Sequence, residues 1–424
     1  MTEERYSVPK TLFIGLAFCT ISIAWSVYNS FVPVFLKELA VSTTAIGFIM
    51  TFDNISGLLF QPYFGKLSDK TSTRLGRRMP YLVFGVPAAA VGMTLIPLAA
   101  AAGSAKFAAG GGLLASLVPL MGSIILMNFA MSVYRAPAVA LMPDATPPTR
   151  RSEANGIINL MGGAGSALAF YLGGKLFDVD ARYPFWMAGG LMTATMAVML
   201  FFYREPRAPF EAAGEEKEAD EPDAAAQVRP KSLFPLLFAV FFWFCAYNAV
   251  ETFFTLYAID RLGMTAGEAA STLLYMSGSY LVCAWPAGKL GARFGRRGMM
   301  VAGTAVTLGA TCCQAFIGGR GILAPVLVAA GFGVALININ SYPALIQMSG
   351  KGQTGRYTGY YYAFSFSASI ASPLLFGLLS DLAGSGSALF FYAAGMYAVS
   401  AVCILMVSKK DVDIGTDVPE IHNP

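Results

Sequence analysis

The chain has 424 residues, of which 56% are hydrophobic and only 13% are charged. A soluble domain carries about 25% charged residues, so water is excluded as the main solvent of this chain. The formal net charge of +4 is small, and the sequence has no basic tract with interleaved aromatic residues, which argues against a nucleic-acid partner.

Apolar segments of membrane-spanning length follow one another along the whole chain. A helix needs about 20 apolar residues to cross a bilayer, and short polar breaks divide this sequence into segments of about that size. The pattern predicts an all-α polytopic membrane protein with twelve transmembrane helices. The predicted helices lie near 12–36, 45–67, 80–102, 113–142, 153–174, 183–203, 233–259, 268–287, 298–318, 321–346, 357–380 and 387–407.

Basic residues indicate how the chain is oriented in a cell (inner) membrane. When the N-terminus is placed inside, most of the 29 Lys and Arg residues fall on the cytoplasmic side. The positive-inside rule then predicts that both termini are cytoplasmic. The basic residues of the outer loops are Lys37, Lys106, Lys175, Arg182, Arg261 and Arg320.

The segment 204–232 is rich in Glu, Asp, Ala and Pro and predicts a flexible cytoplasmic linker, because it cannot bury a core. It separates an N-terminal six-helix half, 1–203, from a C-terminal half, 233–410, which a cytoplasmic tail, 411–424, follows. Parallel repeats of this kind are typical of transporters. Two short matches recur at one displacement of 219 residues, Tyr28-Asn29 as Tyr247-Asn248 and Gly76-Arg77-Arg78 as Gly295-Arg296-Arg297.

The cysteines and the histidine predict neither a metal site nor a cofactor. The six cysteines lie in apolar runs without a CxxC pair, and the only histidine, His422, is in the polar tail. If the chain carries protons across the membrane, the carrier is therefore a carboxylate.

The cytoplasmic turn between helices 2 and 3 reads GKLSDKTSTRLGRR, from Gly65 to Arg78. It resembles the helix 2–3 motif of the major facilitator superfamily, with a lengthened spacing between Asp69 and Gly76-Arg77-Arg78. Together with Gln61-Pro62 and Met79-Pro80-Tyr81, this longer form resembles the sucrose:proton symporters and the related glycoside–pentoside–hexuronide:cation symporters. Further matches are Arg135-Ala-Pro, Met142-Pro143-Asp144 and Arg151-Ser-Glu-Ala-Asn155-Gly156.

The resemblance implies a major facilitator fold, with two six-helix pseudo-repeats, and transport of a sugar by alternating access. The chain departs from the pattern at two positions. Gln61 stands where melibiose-type members place a cation-binding carboxylate, and Ile124 lies near the place of an acidic residue of plant sucrose carriers. These departures argue against sodium coupling and indicate that any proton site has moved.

The helix 2–3 turn also predicts a gate on physical grounds. Asp69 and the arginines can form ion pairs at a helix end, and Gly65 and Gly76 allow tight turning and close helix approach. Such pairs can hold one face closed and break when it opens. Positive-inside topology is the alternative explanation, but it accounts for the arginines alone. The gate candidates are Gly65, Asp69, Arg74, Gly76, Arg77, Arg78, Asp144 and Arg151.

Three ionisable residues lie well inside predicted spans: Asp53, Arg135 and Glu251. Each costs roughly 2.5–3.5 kcal/mol at a helix centre, so retention calls for a role or a partner. We expect Arg135 to pair with Asp53 in one state and with substrate hydroxyls or Asp144 in another. The proton is carried by Asp53 or by Glu251. A structural ion pair with one silent protonated acid is the alternative.

Aromatic and amide side chains suit a polyol, whose C–H faces pack on rings while its hydroxyl groups bind acceptors and donors. Aromatic residues near span ends also form interface belts, and amides in spans also bond between helices, so both alternatives stay open. Any of Tyr360, Tyr361 and Tyr362 in the eleventh predicted helix could line a substrate cavity. The substrate-binding candidates are Trp25, Tyr28, Asn29, Gln61, Asn155, Asn159, Trp243, Tyr247, Asn248, Asn338, Asn340 and Tyr361.

The sequence thus predicts a monomeric secondary transporter that imports a mono- or disaccharide with protons and has the lipid bilayer as its environment. A proton-linked exporter of amphipathic drugs or metabolites and a sodium-coupled sugar symporter are the alternatives. A membrane enzyme is disfavoured because no nucleophile–base pair or large soluble domain is evident.

Overall fold

The computed structural model describes residues 7–147, 150–205, 231–349, 353–384 and 386–412. Most of the predicted linker and of the tail lies outside these ranges. The described residues form helices and no strand, and eleven helical segments are long and apolar enough to cross a membrane. The helix Ala266–Phe294, with 29 residues, has the length of a twelfth span but is not among those eleven.

The chain divides into two compact units. The first contains Met1–Lys217 together with Thr252–Leu274, and the second contains Glu218–Glu251 together with Tyr275–Pro424. The predicted boundaries of the halves, at 203 and 233, stay a prediction. The sequence did not indicate that Thr252–Leu274 would group with the N-terminal helices.

The helices of the N-terminal part follow the predicted order, with two interruptions described below. The elements are α1 Val8–Glu38, α2 Thr43–Met50, α3 Phe52–Lys70, α4 Met79–Ala108, α5 Leu113–Ala145, α6 Arg151–Leu168, a π-helical turn Ala169–Gly173, α7 Gly174–Val179 and α8 Tyr183–Phe202. The helix α4 packs against α5 and α8, and α1 packs against α6 and α8.

The C-terminal helices repeat this packing. The elements are α9 Leu233–Leu262, α10 Ala266–Phe294, α11 Arg296–Phe316, α12 Arg320–Gln347, α13 Thr354–Leu382, a 3-10 turn Gly386–Ala388, α14 Leu389–Leu405 and α15 Lys409–Val412. The helix α11 packs against α12 and α14, as α4 packs against α5 and α8, so the third spanning helix of each half contacts the fourth and the sixth. This agrees with an internal repeat.

Two predicted helices are interrupted. The predicted helix 45–67 is divided at Thr51, where α2 ends and α3 begins, and the predicted helix 153–174 contains the π-helical turn and continues to Val179. The apolar pattern of the sequence predicts neither interruption. A one-residue break or one extra residue in a turn leaves the composition of the span unchanged. Such turns often accompany functional sites in helices.

A contact of α7 explains why Thr252–Leu274 belongs to the first unit. The Asp178 carboxylate accepts hydrogen bonds from the Thr265 hydroxyl at 3.0 Å and from the Gly267 N–H at 3.1 Å. A Cβ atom on Gly174 or Gly267 would collide with the backbone of the other residue, so both glycines permit this approach.

Candidate functional site

The break in the second span determines the environment of Asp53. Because α3 begins at Phe52, Asp53 lies in its first turn, where unpaired N–H groups favour negative charge. Its Oδ1 accepts the N–H of Asn54 at 2.5 Å and the side-chain amide of Asn54 at 2.7 Å. Asp53 is 6% exposed. A buried acid is therefore set against a helix start inside the membrane.

Arg135 lies on α5, which packs against α3. Its guanidinium carbon is 5.3 Å from the centroid of the Trp25 ring, in cation–π geometry. The charge of Asp53 acts on the same guanidinium. The structure therefore brings together one predicted acid, the predicted cation and one predicted aromatic residue, all within the first unit.

Tyr28 and Asn128 extend this cluster. Tyr28 is fully buried, stacks on Trp25 at 6.1 Å between ring centroids, and accepts a 3.4 Å hydrogen bond from the Asn128 amide. The carbonyl oxygen of Asn128 is buried and accepts no hydrogen bond among the described residues. Asn128 was not predicted, although it precedes Arg135 by seven residues and therefore shares its helical face.

Two other candidates of the first unit lie near these residues in sequence. Asn29 is 8% exposed, and Gln61 is partly buried with its amide against Gly57. A Cβ atom on Gly57 would collide with that amide, so the glycine leaves room for the Gln61 side chain.

A second cluster surrounds Glu251 in the second unit. The Tyr247 hydroxyl interacts electrostatically with the carboxylate of Glu251 and with the hydroxyl groups of Tyr280 and Tyr397. Trp243 is 2% exposed and packs against Phe244 and Tyr247. Tyr280 and Tyr397 were not predicted, because a lone tyrosine in a span has no distinctive pattern.

Polar side chains of α12 and α13 adjoin this second cluster. Asn338 donates to the Tyr280 hydroxyl at 3.0 Å, and the Tyr361 and Ser341 hydroxyls are 3.0 Å apart. Asn340 instead donates to the backbone carbonyl of Ala287 at 3.2 Å. That bond joins α12 to α10, which favours a packing role for Asn340.

The remaining amide candidates bond within their own helices. Asn159 donates to the Asn155 carbonyl at 2.9 Å, and both residues are exposed. Asn248 donates to the Phe244 carbonyl at 2.7 Å and is partly buried. None of these bonds brings the amides to Arg135 or Glu251, so their role as substrate contacts stays a prediction.

The helix 2–3 turn forms a network of ion pairs. Arg78 contacts Asp69 at 2.5 Å and Asp144 at 3.0 Å, and Arg77 contacts Asp144 at 3.1 Å. Burial alone would lower the pKa of Arg78, but Asp144 and then Asp69 raise it above its ordinary value. Asp144 is thus engaged by the turn in this conformation, and its pairing with Arg135 in another state stays a prediction.

The other gate candidates lie around this network. Gly65 offers its carbonyl to Arg78 at 3.4 Å, and a guanidinium nitrogen of Arg151 lies 3.5 Å from the Pro143 carbonyl. Arg74 lies exposed on the turn.

Glu205 joins this turn and was not among the predicted residues. Its carboxylate accepts the backbone N–H groups of Arg77, Arg78 and Met79 at 2.9–3.1 Å, and so caps the start of α4. Gly76 has a φ of +114°, and a Cβ atom there would collide with Glu205. Glu205 falls in the predicted linker 204–232, where one more acidic residue among many does not indicate a specific contact.

Helices of spanning length that carry a buried acid, a partly buried acid and arginine, and buried aromatic residues define a polytopic membrane transporter. The chain belongs to the Major Facilitator Superfamily, whose family model matches residues 14–285 and 269–423.

Relatives fall into two groups. The sucrose transport protein SUC3 of Arabidopsis thaliana is 27% identical over 167 residues, covering 37% of this chain and 28% of that protein. The proton-associated sugar transporter A of Homo sapiens is 24% identical and covers 42% of this chain and 24% of that protein. The chain thus matches about a quarter of the length of these two sugar transporters. The class B tetracycline resistance protein of Escherichia coli is 22% identical over 82% of both chains.

Solved structures show the same fold. A variant of the nucleoside transporter NupG superposes with a TM-score of 0.73 at 12% identity, covering 94% of this chain and 100% of that chain. A bacterial homologue of the human lysosomal transporter Spinster superposes with a TM-score of 0.69 at 13% identity, covering 95% and 94%.

Proposed function

We propose that this protein is a proton-coupled sugar symporter of the cell (inner) membrane, with both termini cytoplasmic. The observation that supports this most is the arrangement of Asp53, Arg135 and Trp25. An acid and a guanidinium inside a membrane cost free energy, so their retention supports a role in transport. The indole face beside them suits the C–H face of a sugar ring.

Proton movement follows from a change in the partner of Arg135. When the guanidinium attracts Asp53, the carboxylate is held ionised. When a substrate hydroxyl draws Arg135 away, Asp53 loses the attraction of the guanidinium, and its burial then favours uptake of a proton. The loaded acid then releases its proton when the ion pair re-forms, so sugar and proton cross the membrane together.

The energy of one proton is sufficient for uptake. A charge that crosses about 100 mV releases roughly 2.3 kcal/mol, which supports about 50-fold accumulation of a neutral sugar. The sugar-transport relatives support this substrate class. Sodium coupling is the less favoured variant, because Gln61 supplies an amide instead of a carboxylate.

A proton-linked exporter of amphipathic compounds is the second candidate. It is supported by the tetracycline resistance relative, which aligns over 82% of the chain where the sugar transporters align over less than half. Glu251 among tyrosines suits a cationic, aromatic compound as well as a sugar.

The deciding experiment is uptake into proteoliposomes. Labelled mono- and disaccharides are offered under an imposed pH gradient, and separately under a sodium gradient. Saturable sugar accumulation that depends on the pH gradient is the expected result. Sugar uptake driven only by sodium would assign the other coupling ion. The absence of saturable sugar uptake, together with proton-driven movement of tetracycline, would replace the proposal with the exporter.

A further inference from the structure

A cavity of about 1170 Å³ lies in the first unit, on the side that the sequence predicts to be cytoplasmic. Its wall is made of the α3–α4 loop, 72–77, with Met79, and of the end of α8 with the residues that follow, Leu200 and 203–205. Since α8 ends at Phe202, the cavity lies at the depth of the lipid headgroups.

Positive charge dominates the wall of this cavity. Arg74, Arg77 and Arg204 line it, and Arg74 and Arg204 are exposed. Glu205 is the acid of the lining, but its carboxylate accepts three backbone N–H groups at the start of α4. Its charge is therefore directed to the helix end. Arg77 contacts Asp144, whereas the exposed Arg74 and Arg204 present their guanidinium donors to another anion.

Hydroxyl and apolar groups complete the lining. Ser72 and Thr73 are exposed at the cavity, and Leu75 and Leu200 are 50% and 41% exposed. The aromatic side chains of Phe201 and Phe202, next along α8, are 82% and 70% exposed. An apolar wall thus adjoins the arginines on the side where acyl chains lie.

We propose that this cavity binds the phosphate group of an anionic phospholipid. Arginine donates to phosphate oxygens in a bidentate manner, and basic pockets between transmembrane helices on the cytoplasmic side take acidic headgroups. Inorganic phosphate would contact the same arginines but would leave Leu75 and Leu200 uncovered. The shared chemistry is a phosphate anion, and the lipid is the source that the apolar wall favours.

The test is lipid binding by the purified full chain. Native mass spectrometry measures the bound lipid as phosphatidylglycerol is titrated in. The test variant carries Arg74→Gln with Arg204→Gln. The matched control carries Arg150→Gln with Arg293→Gln, which removes two exposed arginines that do not line the cavity. We expect the test variant to bind at least about fivefold more weakly, because two charge-assisted hydrogen bonds are lost.

The control variant separates a site from general attraction. It should bind like the unchanged protein, and an equal loss in both double variants would overturn the proposal. So would the absence of saturable binding, or unchanged binding by the test variant. Thermal stability is measured for all three proteins, and if the test variant does not purify, the two single variants replace it, each with a smaller loss.

Inorganic phosphate distinguishes the two sources. If millimolar phosphate leaves phosphatidylglycerol in place, and zwitterionic phosphatidylcholine binds weakly and equally to all variants, the lipid headgroup is the ligand. If phosphate displaces the lipid from the unchanged protein, and if that displacement is lost with Arg74 and Arg204, the same cavity takes free phosphate.

Discussion

Asp53, Arg135 and Trp25 form the part of the molecule where single side chains carry the proposed mechanism. The acid is at a helix start, the guanidinium is near its charge, and the ring lies 5.3 Å from the guanidinium carbon. Because these interactions differ in kind, substitutions at Asp53, at Trp25 and at the adjoining Asn128 separate proton coupling from substrate binding.

Removing the charge of Asp53 tests proton coupling. We expect Asp53→Asn to abolish sugar accumulation under a pH gradient, since the amide carries no proton, while exchange of labelled for unlabelled sugar across the membrane continues. The control is Asp180→Asn, between α7 and α8, where the partly exposed carboxylate pairs with Arg182. Uphill uptake by Asp53→Asn with unchanged pH dependence would contradict the assignment and transfer it to Glu251.

Trp25 tests the aromatic surface. We expect Trp25→Ala to weaken substrate binding by about 1–2 kcal/mol, because the apolar contact between the ring and the C–H face of the sugar is lost, which raises the KM for uptake about 5- to 30-fold. Trp25→Phe should retain most of the affinity because a ring face remains. Equal KM values for Trp25→Ala and the unchanged protein would show that the ring does not contact the sugar.

Asn128 tests the residue that only the structure revealed. Its carbonyl oxygen is buried without a donor among the described residues, so a substrate hydroxyl is a fitting partner. We expect Asn128→Asp to change the pH dependence of uptake, because a carboxyl then faces Tyr28, whereas Asn128→Leu should lower affinity alone. Unchanged transport in both variants would limit Asn128 to its bond with Tyr28.

At the scale of elements, the turn between α3 and α4 is held by Glu205 from the end of α8. This capping needs a glycine at position 76, where the backbone has positive φ and Glu205 is too close for a Cβ atom. The turn and α8 therefore stay together for as long as the cap is intact.

Gly76→Ala tests this arrangement. We expect it to lower the free energy of unfolding by about 1–3 kcal/mol through backbone strain, with a matching fall in the melting temperature of the purified protein. Gly112→Ala is the matched control, because φ is −62° there and nothing lies within 4 Å of an added Cβ atom. Similar melting temperatures for the two variants would contradict the role of the turn.

At the scale of the whole molecule, the sequence orients the chain by its basic loops, and labelling can test that orientation. An impermeant thiol reagent applied to intact cells should label Ala109→Cys, in a predicted outer loop, and should leave Ser72→Cys, in a predicted inner loop, unlabelled. Both positions are exposed. The unchanged protein is the control, since Cys313 is exposed. The opposite pattern would invert the topology.

The sequence by itself determined the helical membrane fold, the order and approximate limits of its spans, and the residues that carry charge into the membrane. These follow from hydropathy and spacing along the chain, which need no knowledge of neighbours. The same local information proposed Asp69, Asp144 and the arginines as gate residues, although it did not say which pairs would form.

Only the tertiary structure decided which side chains meet. The approach of Arg135 to Trp25, the bond of Asn128 to Tyr28 and the cap formed by Glu205 depend on elements that are far apart in sequence. Hydropathy gives how much of a helix is apolar but not how it is rotated about its axis. Packing fixes that rotation, and with it the partner of each buried polar group.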